Sequence, residues 1–461
     1  MVGIEDSKRR MSIIVTSDQL PAALEQKVIE EVVVEKVDGA SNSFARPRFA
    51  SHAEKTYVRP YRMTDDHSQL YLPLAWAMKH IPGAERRPRS HFQPLSHGCQ
   101  FTTELRSVQA EIKQECVTSL NQRGNVLISL YPGAGKTCLS IFLASRIGLK
   151  TLIVCHRLVL IEQWKQALDR FLHQPNVHLL TPASLQKKNG RERVQAADFL
   201  LVNAQNVKKI GEAELTHVGL VIVDEIHAIL AESLSECLAY LAPRYLIGLS
   251  ATPHRPDGLD QLLDFYFGES KYRIVRELHH PHDVYHIPTT LTFEEDSKTQ
   301  WSALISSQCL HERRNQLIAA IVRHFRDRHF LVLCKRVEQA QQIAHLLEEE
   351  KEIVSVMTET VNTFDPNARV IVASLQKCGV GFSHDVLDAL VMASDVEEYF
   401  IQYLARVMRT EQVRPMVFDL VDDHPTLKRH FRTRKQVYEK AGGVIHPFWK
   451  EFQAFDAFKT L

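Results

Sequence analysis

The chain has 461 residues, of which 44% are hydrophobic and 24% charged, and its formal net charge is +1. Such a chain is long enough for two or three globular domains, and its net charge gives no support for a nucleic-acid partner. It has no run of about 18 apolar residues and no basic-then-apolar N-terminus, so we predict no membrane span and expect no signal peptide. We expect an intracellular, soluble protein with no membrane partner.

The eight cysteines include no C-x-x-C pair, so a structural zinc site is not expected. Cys155 and Cys334 each end a predicted strand. We interpret them as small buried hydrophobic residues in a reducing compartment.

Residues 1–98 differ in character from the rest of the chain. Proline and arginine are scattered through them, and only residues 70–79 suggest a helix. The sequence favours neither a small accessory domain nor a partly disordered arm over the other.

Residues 99–276 alternate between strand and helix patterns. The predicted strands are short, apolar and unbroken, as in a parallel sheet that is covered on both faces. They span residues 125–130, 151–155, 199–202, 218–223 and 245–249, with a helix at 136–147. We predict an α/β domain over 99–276.

Residues 277–310, where His, Pro and Thr are mixed, are predicted to be a linker. A second alternation over 311–423 predicts another α/β domain. Its strands span 329–334, 368–373, 389–393 and 416–421, and its helices 337–349 and 398–409. Residues 424–461 form a basic C-terminal region with the densest run at 428–435, which is either a solvated helix face or a phosphate-contacting patch.

A glycine-rich loop lies between the first predicted strand and the helix that follows it. Its residues are Leu130, Tyr131, Pro132, Gly133, Ala134, Gly135, Lys136 and Thr137. Glycines let the backbone N–H groups and the helix N-terminus approach phosphates closely. Lys136 would neutralise the β- and γ-phosphates, and the Thr137 hydroxyl would bind Mg²⁺. Leu130 stands where the usual pattern has its first glycine.

Two adjacent acids follow the apolar strand at 218–223. We assign Asp224 to Mg²⁺ and Glu225 to the catalytic base that orients the attacking water. Alone the pair is a weak signal, but its position after Lys136 and before Ser250-Ala251-Thr252 strengthens it. His227 would connect the nucleotide site to neighbouring motifs, or it is an ordinary surface histidine.

Arg406 and Arg409 are three residues apart on a predicted helix, which would place both on one face. Such a pair could reach the γ-phosphate and stabilise charge in the transition state. Gln402 begins the same motif and is assigned to the nucleotide. Without the first domain, the segment would be interpreted as a basic helix face.

These motifs, in this order, resemble those of superfamily 2 helicases of the DExH type, with Asp224-Glu225-Ile226-His227 as the name-giving motif. The resemblance covers about residues 100–422 and implies two tandem RecA-like domains that use ATP and Mg²⁺. It also implies that Gln109 reads the adenine edge and that Ser250 and Thr252 couple hydrolysis to domain movement. The segment at 247–258 resembles the version in the helicase subunit of the transcription and repair factor. The segments at 381–384 and 419–442 resemble related helicases of large cytoplasmic DNA viruses, including the poxvirus transcript-release type.

Two positions depart from the family pattern. Ser383 stands where Asp is usual, and Ala405 stands where Gly usually precedes the arginine. Neither removes a group that is assigned to chemistry.

The resemblance also implies a nucleic-acid strand held mainly through its backbone. The candidate contacts are Arg157, Gln205, Lys335 and Ser374, each of which is equally explained as a surface or capping residue. Trp164 is interpreted as a core residue rather than a base-stacking platform.

The leading hypothesis is an ATP-dependent helicase that unwinds or translocates on DNA or RNA in viral transcription or replication. The resemblance leaves the transcription machinery open as a partner, and the host cytoplasm or the virion as the location. Alternatives are a translocase or transcript-release factor that does not separate strands, and an ATP-binding scaffold with little catalysis.

Overall fold

The computed structural model describes most of the chain. The described residues are 13–16, 22–35, 57–63, 69–81, 88–230, 236–241, 243–250, 261–292, 301–358, 364–375, 378, 384–396, 400–409 and 413–461. The chain divides into two compact units, residues 1–130 with 134–276 and residues 131–133 with 277–461.

The first unit contains a seven-stranded sheet, two small N-terminal sheets and flanking helices. Its strands are β1 (Ile13–Thr16), β2 (Val34–Glu35), β3 (Tyr57–Val58), β4 (Arg62–Met63), β5 (Gln69–Leu72), β6 (Asn125–Leu130), β7 (Thr151–Cys155), β8 (Val177–Leu179), β9 (Phe199–Asn203), β10 (Leu220–Val223), β11 (Tyr245–Ser250) and β12 (Ile274–Arg276). Its helices are α1 (Ala22–Glu31), α2 (Leu74–His80), α3 (Ser107–Arg123), α4 (Lys136–Ile147), α5 (Leu158–Phe171), α6 (Pro182–Gln186), α7 (Gly190–Ala196), α8 (Ala204–Ile210), α9 (Ile226–Ile229) and α10 (Gln261–Phe267).

The seven-stranded sheet has the order β12-β6-β11-β10-β7-β9-β8, and all of its pairings are parallel. Every residue of β6, β7, β10 and β11 is buried, as expected for strands covered on both faces. The predicted parallel sheet is confirmed. Because β6, β11 and β10 are neighbours, the segments that follow them leave from the same edge of the sheet.

The N-terminal residues pack onto this layer. β1, β5 and β4 form an antiparallel sheet, β2 pairs with β3, and Val28 and Trp76 belong to the same buried cluster as Leu200 of β9. The predicted helix at 70–79 begins instead as strand β5, and the helix occupies Leu74–His80. Residues 88–98, assigned from the sequence to the accessory region, bond to the α/β layer, since Leu95 N–H donates to the Gly148 carbonyl at 3.1 Å.

The second unit contains the other seven-stranded sheet. Its strands are β13 (His282–Pro288), β14 (Phe330–Cys334), β15 (Val354–Met357), β16 (Val370–Ser374), β17 (Ala389–Met392), β18 (Met416–Val421) and β19 (Gly443–Pro447). Its helices are α11 (Trp301–Leu310), α12 (Glu312–His324), α13 (Val337–Glu348), α14 (Phe400–Leu404), α15 (Pro425–Lys440) and α16 (Phe448–Glu451). The order is β15-β16-β14-β17-β18-β13-β19, again entirely parallel. The tandem arrangement of two parallel-sheet domains is confirmed.

The segment 277–310, predicted as a linker, contributes to this second unit. β13 pairs with β18 on one side and β19 on the other, and α11 follows it. The polar residues in this segment made the strand difficult to predict from sequence. In the structure they have partners, since Asp283 accepts hydrogen bonds from Arg414 and contacts His446 Nε2 at 2.9 Å. The outer bounds of the predicted domains stay predictions.

The basic run at 428–435 lies on α15 and divides between two faces. Arg434 is buried and pairs with the Asp419 and Asp395 carboxylates at 2.8 and 2.9 Å, whereas Arg432 and Lys435 are exposed. As placed, Arg434 is a core residue and not a phosphate contact.

The cysteines follow the sequence interpretation. All eight are buried and unpaired as thiols, and burial raises the pKa values of the Cys155 and Cys334 thiols. Both therefore behave as small hydrophobic side chains.

Candidate nucleotide site

The glycine-rich loop joins the end of β6 to the first turn of α4. Gly133 and Gly135 have φ angles of +86° and +84°, a region that side chains disfavour and glycine adopts freely. Lys136 is the first residue of α4, and its Nζ donates to the Leu130 carbonyl at 3.0 Å. The helix N-terminus and its lysine are therefore directed to the mouth of the loop, the arrangement that binds phosphate.

Leu130, in place of the usual first glycine, is the fully buried last residue of β6. Its side chain is part of the buried sheet, and its carbonyl oxygen accepts the hydrogen bond from Lys136 Nζ. Tyr131, Pro132 and Thr137 are partly exposed, and Ala134 is buried. The substitution at this position is thus accommodated within the strand.

Gln109 holds this loop through side-chain hydrogen bonds. Its Nε2 donates to the carbonyls of Ala134 and Gly135 at 3.1 and 3.2 Å, and its Oε1 accepts from Arg106 N–H at 2.9 Å. Its side chain is fully buried. In this arrangement the amide is committed to the loop and to the start of α3, so adenine recognition by Gln109 stays a prediction.

The close contact between Gln109 and the loop gives a second reason, besides the positive φ, for a glycine at position 135. A Cβ there would lie 2.1 Å from Gln109 Nε2, far inside van der Waals contact. Gly135 therefore needs both a positive φ and the absence of a side chain.

Asp224 follows β10 at the same edge of the sheet. It is 8% exposed, its Oδ2 accepts from Trp164 Nε1 at 2.8 Å, and its Oδ1 accepts from Glu225 N–H at 3.0 Å. Burial and the neighbouring Glu225 raise the pKa of Asp224, while the Trp164 hydrogen bond and the Lys136 charge oppose that rise. The N–H groups of Trp164 and Glu225 and the positive charge of Lys136 favour the ionised form of the Asp224 carboxylate.

Glu225 has φ +47° and ψ +57°, a left-handed conformation that is uncommon for a residue with a side chain. Strained backbone of this kind persists where the surroundings enforce it, often at functional sites. The turn directs the Glu225 carboxylate to His227, whose Nδ1 lies 3.3 Å from Glu225 Oε2 and 3.0 Å from Ser250 Oγ. A short chain of polar groups thus connects the ends of β10 and β11.

The donor set suits Mg²⁺. Asp224 and Thr137 offer oxygen atoms, and each Asp224 oxygen accepts one N–H, which leaves further lone pairs for a cation. Among the residues that the structure describes, no cluster of three or more His, Cys, Asp or Glu is placed to hold a metal. Mg²⁺ commonly takes one or two protein ligands and completes its shell with phosphates and water, so the residues fit.

Two of the nucleic-acid candidates lie at helix starts in the first unit. Arg157 is exposed at the N-cap of α5, and Leu158 beside it is 72% exposed. Gln205 is exposed in the first turn of α8, where its N–H donates to Asn203 Oδ1 at 3.1 Å. Both are accessible to a strand. The cap of α8 is the Asn203 side chain, and Gln205 contributes only its backbone N–H to it.

The second unit carries the remaining candidates. Lys335 follows β14, its Nζ lies 5.7 Å from the Trp301 ring, and its N–H donates to Ser394 Oγ at 2.9 Å. Ser374 ends β16 and is buried. Gln402 is partly exposed on α14. None of these positions by itself identifies a ligand.

The helix predicted over 398–409 is wrong in its C-terminal half. α14 ends at Leu404, and the Arg406 and Val407 N–H groups bond three residues back, to the Tyr403 and Leu404 carbonyls at 3.0 and 3.2 Å. A turn therefore replaces the helix, and the two arginines do not share a helix face. Arg409 is largely buried and pairs with Asp385 at 2.7 Å.

Parts of the segments that the sequence singled out lie outside the described residues. They are residues 251–258 and 381–383, which include Thr252 and Ser383. Ala405, the other departure from the family pattern, is buried at the end of α14.

Sequence reasoning missed the hydrogen bond between Trp164 and Asp224 and a buried charge network in the second unit. In that network Arg314 and Asp422 are fully buried, with Arg314 Nε 3.2 Å from Asp422 Oδ1. The available sequence signals were Trp164 and Arg314, which lie on helices beside apolar residues. Their partners are 60 and 108 residues away, which local patterns do not reveal.

Comparisons with known proteins identify the family and several relatives of the chain. The family described as "Type III restriction enzyme, res subunit" matches residues 102–255. The chain is 37% identical to "Putative helicase 161L" of Invertebrate iridescent virus 6 over 381 residues, 77% of this chain and 85% of that one. It is 28% identical to "Putative helicase 055L" of Frog virus 3 (isolate Goorha), over 81% of this chain and 85% of that one. It is 22% identical to "Putative ATP-dependent RNA helicase L396" of Acanthamoeba polyphaga mimivirus, over 76% of this chain and 70% of that one.

No helix among the described residues combines the length and the apolar character that crossing a bilayer requires.

Proposed function

The chain belongs to the superfamily 2 helicases of the type found in large DNA viruses, and from that premise we propose that it couples hydrolysis of Mg²⁺-bound ATP to unwinding of, or translocation on, DNA or RNA. Membership makes it a helicase-type, nucleic-acid-dependent ATPase. The proposal extends this to the metal, to the mechanical output and to an EC 3.6.4-type reaction.

The observation that carries the proposal is the convergence of two segments at one sheet edge. The loop after β6 presents Lys136 at a helix start, and the turn after β10 presents Asp224 and Glu225. Phosphate binding and paired carboxylates in one place are what ATP hydrolysis needs.

Each group then has a role. Lys136 and the backbone N–H groups of the loop neutralise the β- and γ-phosphates, and Thr137 and Asp224 hold Mg²⁺, which supplies charge compensation at the phosphates when bound. Glu225 orients the attacking water and accepts its proton. His227, between Glu225 and Ser250, relays the state of the nucleotide to the segment that follows β11 and contains Thr252.

The remaining assigned residues also have roles in this proposal. Arg406 and Arg409 stabilise the charge that develops on the γ-phosphate, and Gln402 contributes to nucleotide binding. Arg157, Gln205, Lys335 and Ser374 serve the nucleic-acid strand. Contacts of this kind hold a strand through its backbone without reading its sequence.

We further propose a place in viral transcription or replication within the infected cell, with the transcription machinery as a candidate partner. The viral source of the relatives supports the viral setting. Unwinding and translocation without unwinding share every group described above. A strand-displacement assay beside an ATPase assay separates them, because a pure translocase hydrolyses ATP without releasing a strand.

The decisive experiment measures ATP turnover with single- and double-stranded DNA and RNA, in the wild type and in Lys136→Ala. We expect nucleic acid to stimulate turnover and Lys136→Ala to abolish it. Lys165→Ala, which removes an exposed lysine from the neighbouring helix α5, is the matched control and should retain activity. Absence of turnover with all four nucleic acids would instead favour the ATP-binding scaffold.

A further inference from the structure

We propose that Trp164 is a positioning residue of the ATPase, whose indole N–H fixes the Asp224 carboxylate in the orientation that receives Mg²⁺. This inference rests on the proposed function, since it assigns Trp164 a place in that same site. From the sequence alone, Trp164 is interpreted only as a core residue.

The geometry is that of a buried, directed hydrogen bond. Trp164 lies in the middle of α5 and is 1% exposed, and its Nε1 is 2.8 Å from Asp224 Oδ2. An indole has one donor and no acceptor. This bond therefore uses the entire polar capacity of the side chain, and it crosses from the helix layer to the end of strand β10.

The bond has a consequence for the carboxylate. Oδ1 already accepts from the Glu225 N–H at 3.0 Å, so each Asp224 oxygen is held by a separate donor. With only the backbone donor, the carboxylate could rotate about its Cβ–Cγ bond. With both, its plane is fixed, and the lone pairs that remain are offered in fixed directions.

An aromatic ring alone would fill the same space. Phenylalanine has a similar buried body but no donor, and a buried carboxylate oxygen left without a partner is costly. Groups that hydrogen-bond to a metal ligand commonly change metal affinity or activity 10- to 100-fold when they are removed. We therefore expect Trp164→Phe to act on Mg²⁺ dependence rather than only on folding.

The first test needs no activity. The chain has four tryptophans, so a ¹⁵N–¹H spectrum of the protein should show four indole signals, with that of Trp164 assigned by its loss in Trp164→Phe. If this variant does not fold, Trp→Phe changes at residues 76, 301 and 449 assign the signal by elimination. A hydrogen bond to a carboxylate should give a downfield indole proton that exchanges slowly. Asp224→Asn should move this signal, and the other three should stay.

The second test measures Mg²⁺ titrations of ATP turnover, and of binding of a fluorescent ATP analogue, at saturating nucleotide. We expect the Mg²⁺ concentration for half-maximal effect to rise roughly 10- to 100-fold in Trp164→Phe. Leu168→Ala, on the same helix and at a fully buried position, removes core packing without removing a donor and should leave the Mg²⁺ midpoint unchanged.

Three outcomes overturn the inference: a Trp164 signal that does not respond to Asp224→Asn, a wild-type Mg²⁺ midpoint in Trp164→Phe, and equal shifts in Trp164→Phe and Leu168→Ala. Failure of the proposed function looks different. In that case the wild type itself shows no turnover, and the spectrum still decides whether Trp164 holds Asp224.

Discussion

Substitution of Gly135 by alanine tests how the phosphate loop is held. The new Cβ would impose a left-handed conformation on a residue with a side chain, at a cost of about 1–2 kcal/mol. It would also lie 2.1 Å from Gln109 Nε2 and displace that side chain from its three hydrogen bonds. At roughly 1 kcal/mol per bond, the total loss of unfolding free energy is about 4–5 kcal/mol.

Gly148→Ala is the matched control for backbone strain. Gly148 has φ +66° and ψ +31°, close to the +84° and +39° of Gly135, but a Cβ there would meet its nearest atoms at ordinary distances of 3.8 and 3.9 Å. We expect this control to lose only about 1–2 kcal/mol.

The assay is urea unfolding followed by indole fluorescence in a background that carries Trp301→Phe and Trp449→Phe. The remaining tryptophans, Trp76 and Trp164, both belong to the first unit, so the signal reports on that unit. Nucleotide affinity measured in parallel should fall with the displaced loop.

A double-mutant cycle decides the cause. In a Gln109→Ala background the clash is gone, so Gly135→Ala should cost only about 1–2 kcal/mol. The two changes should therefore be non-additive by roughly 3 kcal/mol. Additive effects of the two substitutions would refute the reasoning.

Two further predictions concern buried charge. Burial, and then the nearby Arg157 and His227, lower the pKa of His156 from 6.5 to about 4, so the unfolded chain binds the proton first and stability is lost as the pH falls from 6.5 towards 4. At about 1.4 kcal/mol per pKa unit, His156→Gln should reduce the loss of unfolding free energy between pH 7 and pH 5 by up to about 2 kcal/mol; an unchanged loss contradicts this. Arg434→Leu removes the guanidinium that pairs with the buried Asp419 and Asp395 carboxylates and should cost about 3–5 kcal/mol in a denaturant titration. The exposed neighbour Lys435→Leu should change stability by less than about 0.5 kcal/mol, and equal losses in the two variants would show that the buried pairs do not matter.

The central strands were predictable because their burial is evident from consecutive apolar residues in the sequence. β10 and β14 are unbroken apolar runs, and β6 and β18 are mostly apolar. Such segments are predicted correctly as strands when both faces of a sheet are covered. The phosphate loop was predictable for a similar reason, since its glycines and lysine are contiguous.

What failed depended on distant partners. Strand β13 contains two histidines, an aspartate and a proline, and it is stabilised by pairing with strands more than 130 residues later in the chain. The helix around Gln402 was predicted too long, because local periodicity does not register the i→i+3 turn that ends it at Leu404. The bond from Trp164 to Asp224 likewise joins elements that the sequence treats separately.

The position of β13 bears on the order in which the chain can fold as it is made. The sheet of the first unit needs nothing beyond Arg276, the last residue of β12. β13 leaves the ribosome soon afterwards, but its two neighbours, β18 and β19, end only at Val421 and Pro447. Nascent domains generally fold as units from the N-terminus, and an unpaired strand exposes a row of N–H and C=O groups to other chains. The first unit can thus form early, whereas about 130 further residues must be synthesised before β13 can pair with its first neighbour. During this interval its unpaired backbone groups are open to pairing with other chains.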